Sequence, residues 1–334
     1  MRPAGRTRLS IDNLLAGAVA RAPAQPLTFA PLFVERVWGG RGLEAAYGKP
    51  LPDGERIGEA WELVDRPEAQ SVVTAGPLAG RELQELWTGE RERLFGARAS
   101  GAGERFPLLV KLLDARETLS VQVHPPAHLA GELGGAAKNE VWYLAGAAPG
   151  AHLFAGLRAG VTQDAFAAAL DAGEDVSRLL HRVDVRVGDA LFVPSGRVHA
   201  IGAGCLIVEV QQNSDTTFRV YDFRRPGLDG ELRELHVPQS LASIDFSDVE
   251  PALRPAGDGV VVANAFFTVT RRTLGVAAER VAAPGECAVV GVLSGEAACG
   301  GERFGPGAFF LIPADAGDAL PVSGPAGLLV TELP

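Results

Sequence analysis

Short runs of β-branched and aromatic residues, most of them stopped by glycine or proline, direct this chain to a mainly β fold. RFPLLVKLLD, LSVQVH, EVWYLAG, RVDVRVGDALFVPSG, CLIVEVQQ and TFRVYDF all have this form. After about residue 250 the same texture returns in GVVVANAFFTVTRRTL, ECAVVGVLSGEAACG, AFFLIPADA and GLLVTELP. With 41 glycines and 23 prolines spread over 334 residues, turns between short strands are plentiful. Helical spacing is confined to a few places. Leu83, Leu86, Trp87 and Leu94 predict a helix over 81–97 that breaks or bends near Gly89. Thr162 predicts an N-cap, with Phe166 and Leu170 on one face and Gly173 at the end, and a further short helix follows over 175–182.

Composition narrows the function classes. The chain is 47% hydrophobic and 22% charged, with a formal charge of −10, a globular balance without the basic footprint of a nucleic-acid binder. No membrane partner is expected, because no apolar run reaches the 18 residues a spanning helix needs. Arg2, Arg6 and Arg8 precede LLAGAVA, and Ala18-Val19-Ala20 has the form of a cleavage site. The apolar stretch is only 14–20, however, and Asp12 and Asn13 interrupt its approach. A flexible N-terminal extension over 1–26 fits this Ala/Arg/Pro-rich segment better than a secretory signal. Cys205, Cys287 and Cys299 are odd in number and widely spaced, which fits a reducing, cytoplasmic setting.

Four residues carry the chemistry. On a strand, side chains at i and i+2 share a face, so Gln122 and His124 project together while Val121 and Val123 pack the other way. Lys138, Glu140 and Trp142 share a face by the same rule. His199 follows a turn at Pro194-Ser195-Gly196. Two imidazoles, a carboxylate and an amide oxygen suit Zn²⁺ and other first-row divalent ions, and point to an open Lewis-acid site in a small β-barrel. His128, His152, His181 and His236 sit in no such setting and are read as ordinary surface or core residues. Val187–Pro194 and Phe304–Pro313 share a glycine-containing turn before an apolar strand that stops at proline. That likeness fits two tandem copies of one barrel, or two unrelated strand-turn-strand units.

Whole phrases resemble the type I phosphomannose isomerases of the short bacterial form. LSVQVHP (119–125), KNEVWY (138–143), VPSGRVHAI (193–201) and QQNSDTTFRVYD (211–222) occur in the family's order, with WGG, GEAWE and PLLVK upstream. Asn139 departs from the family's usual residue there and leaves the neighbouring ligand in place. The resemblance implies a cupin fold, a double-stranded β-helix or jelly roll, with short helical insertions and a second smaller β-barrel-like domain. The strand texture from Leu27 onward and the absence of histidine after residue 250 predict a metal-binding catalytic domain over 27–249 and a metal-free β-domain over 250–334. The resemblance also implies one zinc per chain on Gln122, His124, Glu140 and His199, and interconversion of mannose 6-phosphate and fructose 6-phosphate. Arg219 matches the family's catalytic arginine.

The remaining roles rest on the chemistry of the reaction. Moving a proton between C1 and C2 needs a general base, for which strand alternation in VEVQQ offers Glu209, and a fixed cation for the developing oxygen charge. Lys138 is expected beside Glu140, where it serves catalysis or the phosphate. Lys111, Ser120 and Asp215 are expected to bind substrate, Asp215 by orienting Arg219 or a sugar hydroxyl. Arg197 is a further phosphate candidate, whereas Arg224 and Arg225 are expected to be solvated. Another metal cupin, an oxygenase or epimerase, and a non-catalytic sugar-phosphate-binding cupin remain the alternatives.

Overall fold

The structure, a computed structural model, describes residues 24–334; most of the segment expected to be an extension lies outside the described residues. The strands in chain order are β1 (Leu32–Gly40), β2 (Ile57–Leu63), β3 (Asp65–Arg66), β4 (Ala69–Gln70), β5 (Leu108–Ala115), β6 (Val121–Val123) and β7 (Glu140–Ala147). There follow β8 (His152–Leu157), β9 (Leu180–Asp184), β10 (Ala190–Val193), β11 (His199–Ile201), β12 (Cys205–Gln212) and β13 (Phe218–Tyr221). The C-terminal region adds β14 (Gly259–Ala263), β15 (Thr268–Leu274), β16 (Ala288–Gly295), β17 (Ala297–Cys299), β18 (Glu302–Phe304), β19 (Phe309–Ile312), β20 (Val322–Ser323) and β21 (Ala326–Glu332).

Two antiparallel sheets build the first unit, one six-stranded in the order β1-β2-β5-β12-β7-β10 and one five-stranded in the order β13-β6-β11-β8-β9. The six-stranded sheet is buried on both faces, which is why β5 and β12 read as nearly unbroken apolar runs. Alternation assigns the faces. Leu113, Trp142, Leu144, Leu191 and Ile207 point between the two sheets, where they meet Leu153, Ala155 and Ile201. Val110, Leu112, Val141, Tyr143, Val208 and Val210 point the other way, against Val269, Val289, Leu311 and Leu329 of the C-terminal region. The largest apolar cluster thus joins the N-terminal and C-terminal parts of the chain.

The C-terminal unit repeats the first. Its five-stranded sheet runs β14-β15-β21-β16-β19 and its three-stranded sheet β18-β17-β20. The order β5-β12-β7-β10 therefore recurs as β15-β21-β16-β19, and β9-β8-β11 recurs as β18-β17-β20. Gly188 (φ +93°) before β10 and Gly307 (φ +79°) before β19 occupy equivalent turns. The shared phrase thus belongs to a repeated unit and not to an isolated turn.

The helices sit outside the sheets; α1 (Gly42–Tyr47) follows β1 and α4 (Ala127–Ala130) follows β6. The apolar stripe of 81–97 forms two short helices, α2 (Leu83–Gly89) and α3 (Arg91–Phe95), separated at Glu90. Trp87 and Phe95 meet edge-on at 5.0 Å and pack with Phe106. Helix α5 (Gln163–Asp171) begins at Thr162, whose hydroxyl accepts from the Ala165 N–H. A single 3₁₀ turn, Val176–Leu179, stands in the segment expected to be a further short helix.

Candidate metal centre and substrate cavity

The site is made by two rows of side chains on facing sheets. In the five-stranded sheet, Gln122 lies opposite Arg219 on β13 and opposite His199 on β11. In the six-stranded sheet, Trp61, Lys111, Glu209, Trp142 and Leu191 face one another across five strands. Glu140 starts β7, opposite Gln211 on β12 and Val193 on β10. Directly opposed residues in antiparallel strands share a face at close range, so register alone delivers these side chains to one interior.

His124, Glu140 and His199 are fully buried, and one donor atom from each lies within 4.8 Å of the others. His124 Nε2 is 3.4 Å from Glu140 Oε2, and His199 Nε2 is 3.6 Å from Glu140 Oε1. Each imidazole donates through Nδ1 to a backbone carbonyl, His124 to Thr216 and His199 to Arg197, both at 2.8 Å. Those bonds fix the tautomer that leaves Nε2 as an acceptor, the arrangement a metal-ligating histidine uses. The Gln122 side-chain nitrogen lies 3.2 Å from His199 Nε2, and its oxygen faces the Ser120 hydroxyl; exchanging the two by an amide flip would aim the oxygen at the same centre.

Electrostatics agree with a cation here. Burial pushes the His199 pKa down to about 3 and lowers that of His124, so both rings are neutral at ordinary pH. For Glu140 burial works upward, but Lys138 and the imidazoles outweigh it and keep the carboxylate ionised. Among the described residues, His124 Nε2 and Glu140 Oε1 are buried without a hydrogen-bond partner, while Glu140 Oε2 meets Lys138. Orphaned buried acceptors are costly. Two converging on one point fit a divalent ion with N/O ligands.

Above this centre lies a cavity of about 570 Å³, within the size range of small-molecule sites. Gln122, Lys138, Trp142 and Glu209 line its inner part. Lys138 Nζ is 3.0 Å from Glu140 Oε2, and Glu140, Glu209 and Asp215 hold its pKa up against the effect of burial. Glu209 accepts a hydrogen bond from Trp142 Nε1 at 2.8 Å and lies 3.5 Å from Lys111 Nζ. Burial, then the Glu140 charge, raises its pKa. Ser120 is buried at the cavity wall, its hydroxyl 3.4 Å from the Gln122 oxygen. Lys111 sits among Glu59, Glu209 and Asp215 at 3.4, 3.5 and 3.9 Å.

Other expectations need correction. Asp215 approaches Lys111 rather than Arg219, whose Nη1 donates instead to the Glu234 carbonyl at 2.8 Å. Arg197 is clamped by Asp248 through both Nε and Nη2 at 2.7 Å, lies outside the cavity lining and has no open fork for a phosphate. Arg225 is not solvated: it pairs with the buried Asp222 at 2.9 Å and donates to the Thr118 carbonyl. Arg224 is exposed. His236, read as ordinary, holds the Arg219 strand. Its Nδ1 accepts from the Arg219 N–H at 3.2 Å, and its own N–H donates to the Arg219 carbonyl at 2.7 Å. Asn139 ties the start of β7 to Ser195 and Gln212.

Arg36, Glu59 and Arg233 are among the cavity residues that escaped the sequence reading. Glu59 lay within the GEAWE phrase, without an assigned role. Arg36 and Arg233 carried no local signal, since an arginine in a strand or loop is most often a surface residue.

Comparison with known proteins places the chain. A family model described as phosphomannose isomerase type I, catalytic domain, matches residues 27–144. The mannose-6-phosphate isomerase ManA of Bacillus subtilis is 44% identical over 230 residues, 67% of this chain and 70% of that protein. The crystal structure of the mannose 6-phosphate isomerase from Bacillus subtilis is 32% identical with a TM-score of 0.80, covering 92% of this chain and 99% of that one. A mannose 6-phosphate isomerase solved with zinc and yttrium bound is 18% identical with a TM-score of 0.69, covering 93% and 99% respectively. Fold, metal-binding geometry and sequence relatives thus agree, and the chain belongs to the type I phosphomannose isomerase family.

Proposed function

We propose that this protein is a zinc-dependent mannose-6-phosphate isomerase that interconverts mannose 6-phosphate and fructose 6-phosphate. The observation that carries the reading is the trio His124, Glu140 and His199, with orphaned donor atoms converging beneath a charged cavity, in a chain whose relatives are mannose-6-phosphate isomerases. With Gln122 these residues would hold the ion, which supplies Lewis acidity for a sugar oxygen.

The reaction moves a proton between C1 and C2 through an enediol-type state. Glu209 serves as the base: its raised pKa brings it towards the range in which a carboxylate both takes and returns a proton. Trp142 and Lys111 fix its position. Lys138 remains charged beside Glu140 and offers an N–H to the oxygen on which negative charge grows. Arg219, on the strand next to Gln122, adds a second fixed cation there. Both act on charge that is larger in the transition state than in the ground state, which is the condition for a gain in rate. Lys111, Ser120 and Asp215 line the cavity and would hold the sugar hydroxyls.

We place the reaction in the cytoplasm. All three cysteines are buried and unpaired, which suits a reducing compartment; among the described residues no helix is long and apolar enough to cross a membrane. A coupled assay on mannose 6-phosphate with metal analysis tests the activity. Turnover that is lost with chelator and restored by zinc supports the reading. Chelator-insensitive turnover, or none in the zinc-loaded protein, removes it.

A further inference from the structure

Resting on that reading, we propose that Arg36 and Arg233 form the phosphate subsite of the cavity and make it selective for phosphorylated sugars. The two lysines that the motifs bring to the cavity are poor candidates. Lys138 is committed to Glu140 at 3.0 Å, and Lys111 lies within 4.0 Å of three carboxylates. A phosphate dianion placed there would face Glu59, Glu209, Asp215 and Glu140 at close range. Like charges at such distances oppose binding.

The arginines are differently held. Arg36 donates its Nε to Glu59 at 2.8 Å, and Arg233 donates Nε and Nη2 to Asp222. Among the described residues, Arg36 Nη2 and Arg233 Nη1 donate no hydrogen bond. Each guanidinium is thus oriented by a buried carboxylate while keeping donors for a ligand. Planar, pre-oriented forks are the residues of choice for phosphate. Arg219 lines the same cavity; burial, then Arg233, Arg225 and Arg36, depresses its pKa, and Asp222 opposes them. Glu35 and Asp229 also line the cavity, so the positive charge is concentrated around Arg219 rather than spread over the whole lining. Glu59 is then a positioning residue: it holds Arg36 and lies next to Lys111, and the Trp61 indole donates to it at 2.6 Å.

The test uses the full zinc-loaded chain and the variants Arg36→Gln and Arg233→Gln. Both should fold, because Glu59 keeps Lys111 and Trp61 and Asp222 keeps Arg225. The expected result is a KM for mannose 6-phosphate raised roughly 10- to 100-fold, the scale of one lost charge-assisted hydrogen bond, with a smaller change in kcat. Inorganic phosphate, titrated calorimetrically, should bind each variant more weakly by a similar factor. Arg36→Lys should recover part of the loss, since it restores charge without the fork. Unchanged KM and unchanged phosphate affinity in both variants would overturn the subsite, as would a loss confined to kcat. If the wild-type protein binds phosphate through these arginines but does not turn over mannose 6-phosphate, the subsite stands and the isomerase reading falls.

Discussion

At the scale of single residues, the site is held ready by burial. Neutral imidazoles and an ionised carboxylate meet where no water reaches them, so replacing one ligand should empty the centre rather than weaken it slightly. His199→Ala is expected to lose most of its zinc and nearly all activity while far-UV dichroism stays native, as metal analysis of the purified variant would show; stoichiometric zinc in that variant would remove His199 from the ligand set. The same burial has a pH consequence in the chelated protein. The His199 pKa falls from 6.5 to about 3 on folding, so below 6.5 the unfolded chain binds the proton that the folded one refuses. This contribution to stability is full above pH 6.5 and is lost as pH falls towards 3. Thermal melts of chelated protein should therefore drop across that window, and His199→Asn should flatten the drop; parallel curves would contradict the assignment. Arg219→Lys keeps a charge but loses the planar fork. It should lower kcat by roughly 10²- to 10³-fold, the scale of one lost oxyanion donor. A steady-state comparison in which only KM changes would make Arg219 a binding residue instead.

At the scale of elements, much was legible because strand alternation is local. Val121, Gln122, Val123 and His124 declare their faces in order, and the structure buries the two valines in one apolar cluster and turns Gln122 and His124 to the other side. The capped start of α5 was equally readable from Thr162. The break between α2 and α3 falls at Glu90, one residue past the glycine that foretold it. Gly188 shows how a turn enforces the unit: its φ is +93°, and an added Cβ would lie 2.6 Å from the Ala256 Cβ. Gly188→Ala should cost about 1–3 kcal/mol or more, read as a lowered urea midpoint; an unchanged midpoint would show that the turn relaxes freely.

At the scale of the whole molecule, the two repeated units share their main core. Leu329 and Val289 of the C-terminal sheet pack with Val110, Val141 and Val208 of the sheet that carries Lys111 and Glu209. Leu329→Ala should cost about 2–5 kcal/mol and lower one cooperative calorimetric transition. Two separate transitions, with only one displaced, would mean that the units unfold independently. The two copies differ at the position of Glu140. Glu140 pairs with the last residue of β10, and the residue paired with the last residue of β19 is Ala288, buried in an apolar cluster. The sequence by itself determined the β class, the faces of the ligand strands and the family phrases, because these depend on neighbours two to four residues apart. Only the tertiary structure decided that Lys111 is already paired, that Glu59 braces Arg36, and that Arg233 reaches the cavity. Charge pairing depends on which strands and loops become neighbours. Sheet order sets that between residues far apart in the chain, such as Lys111 and Asp215, beyond what any local pattern records.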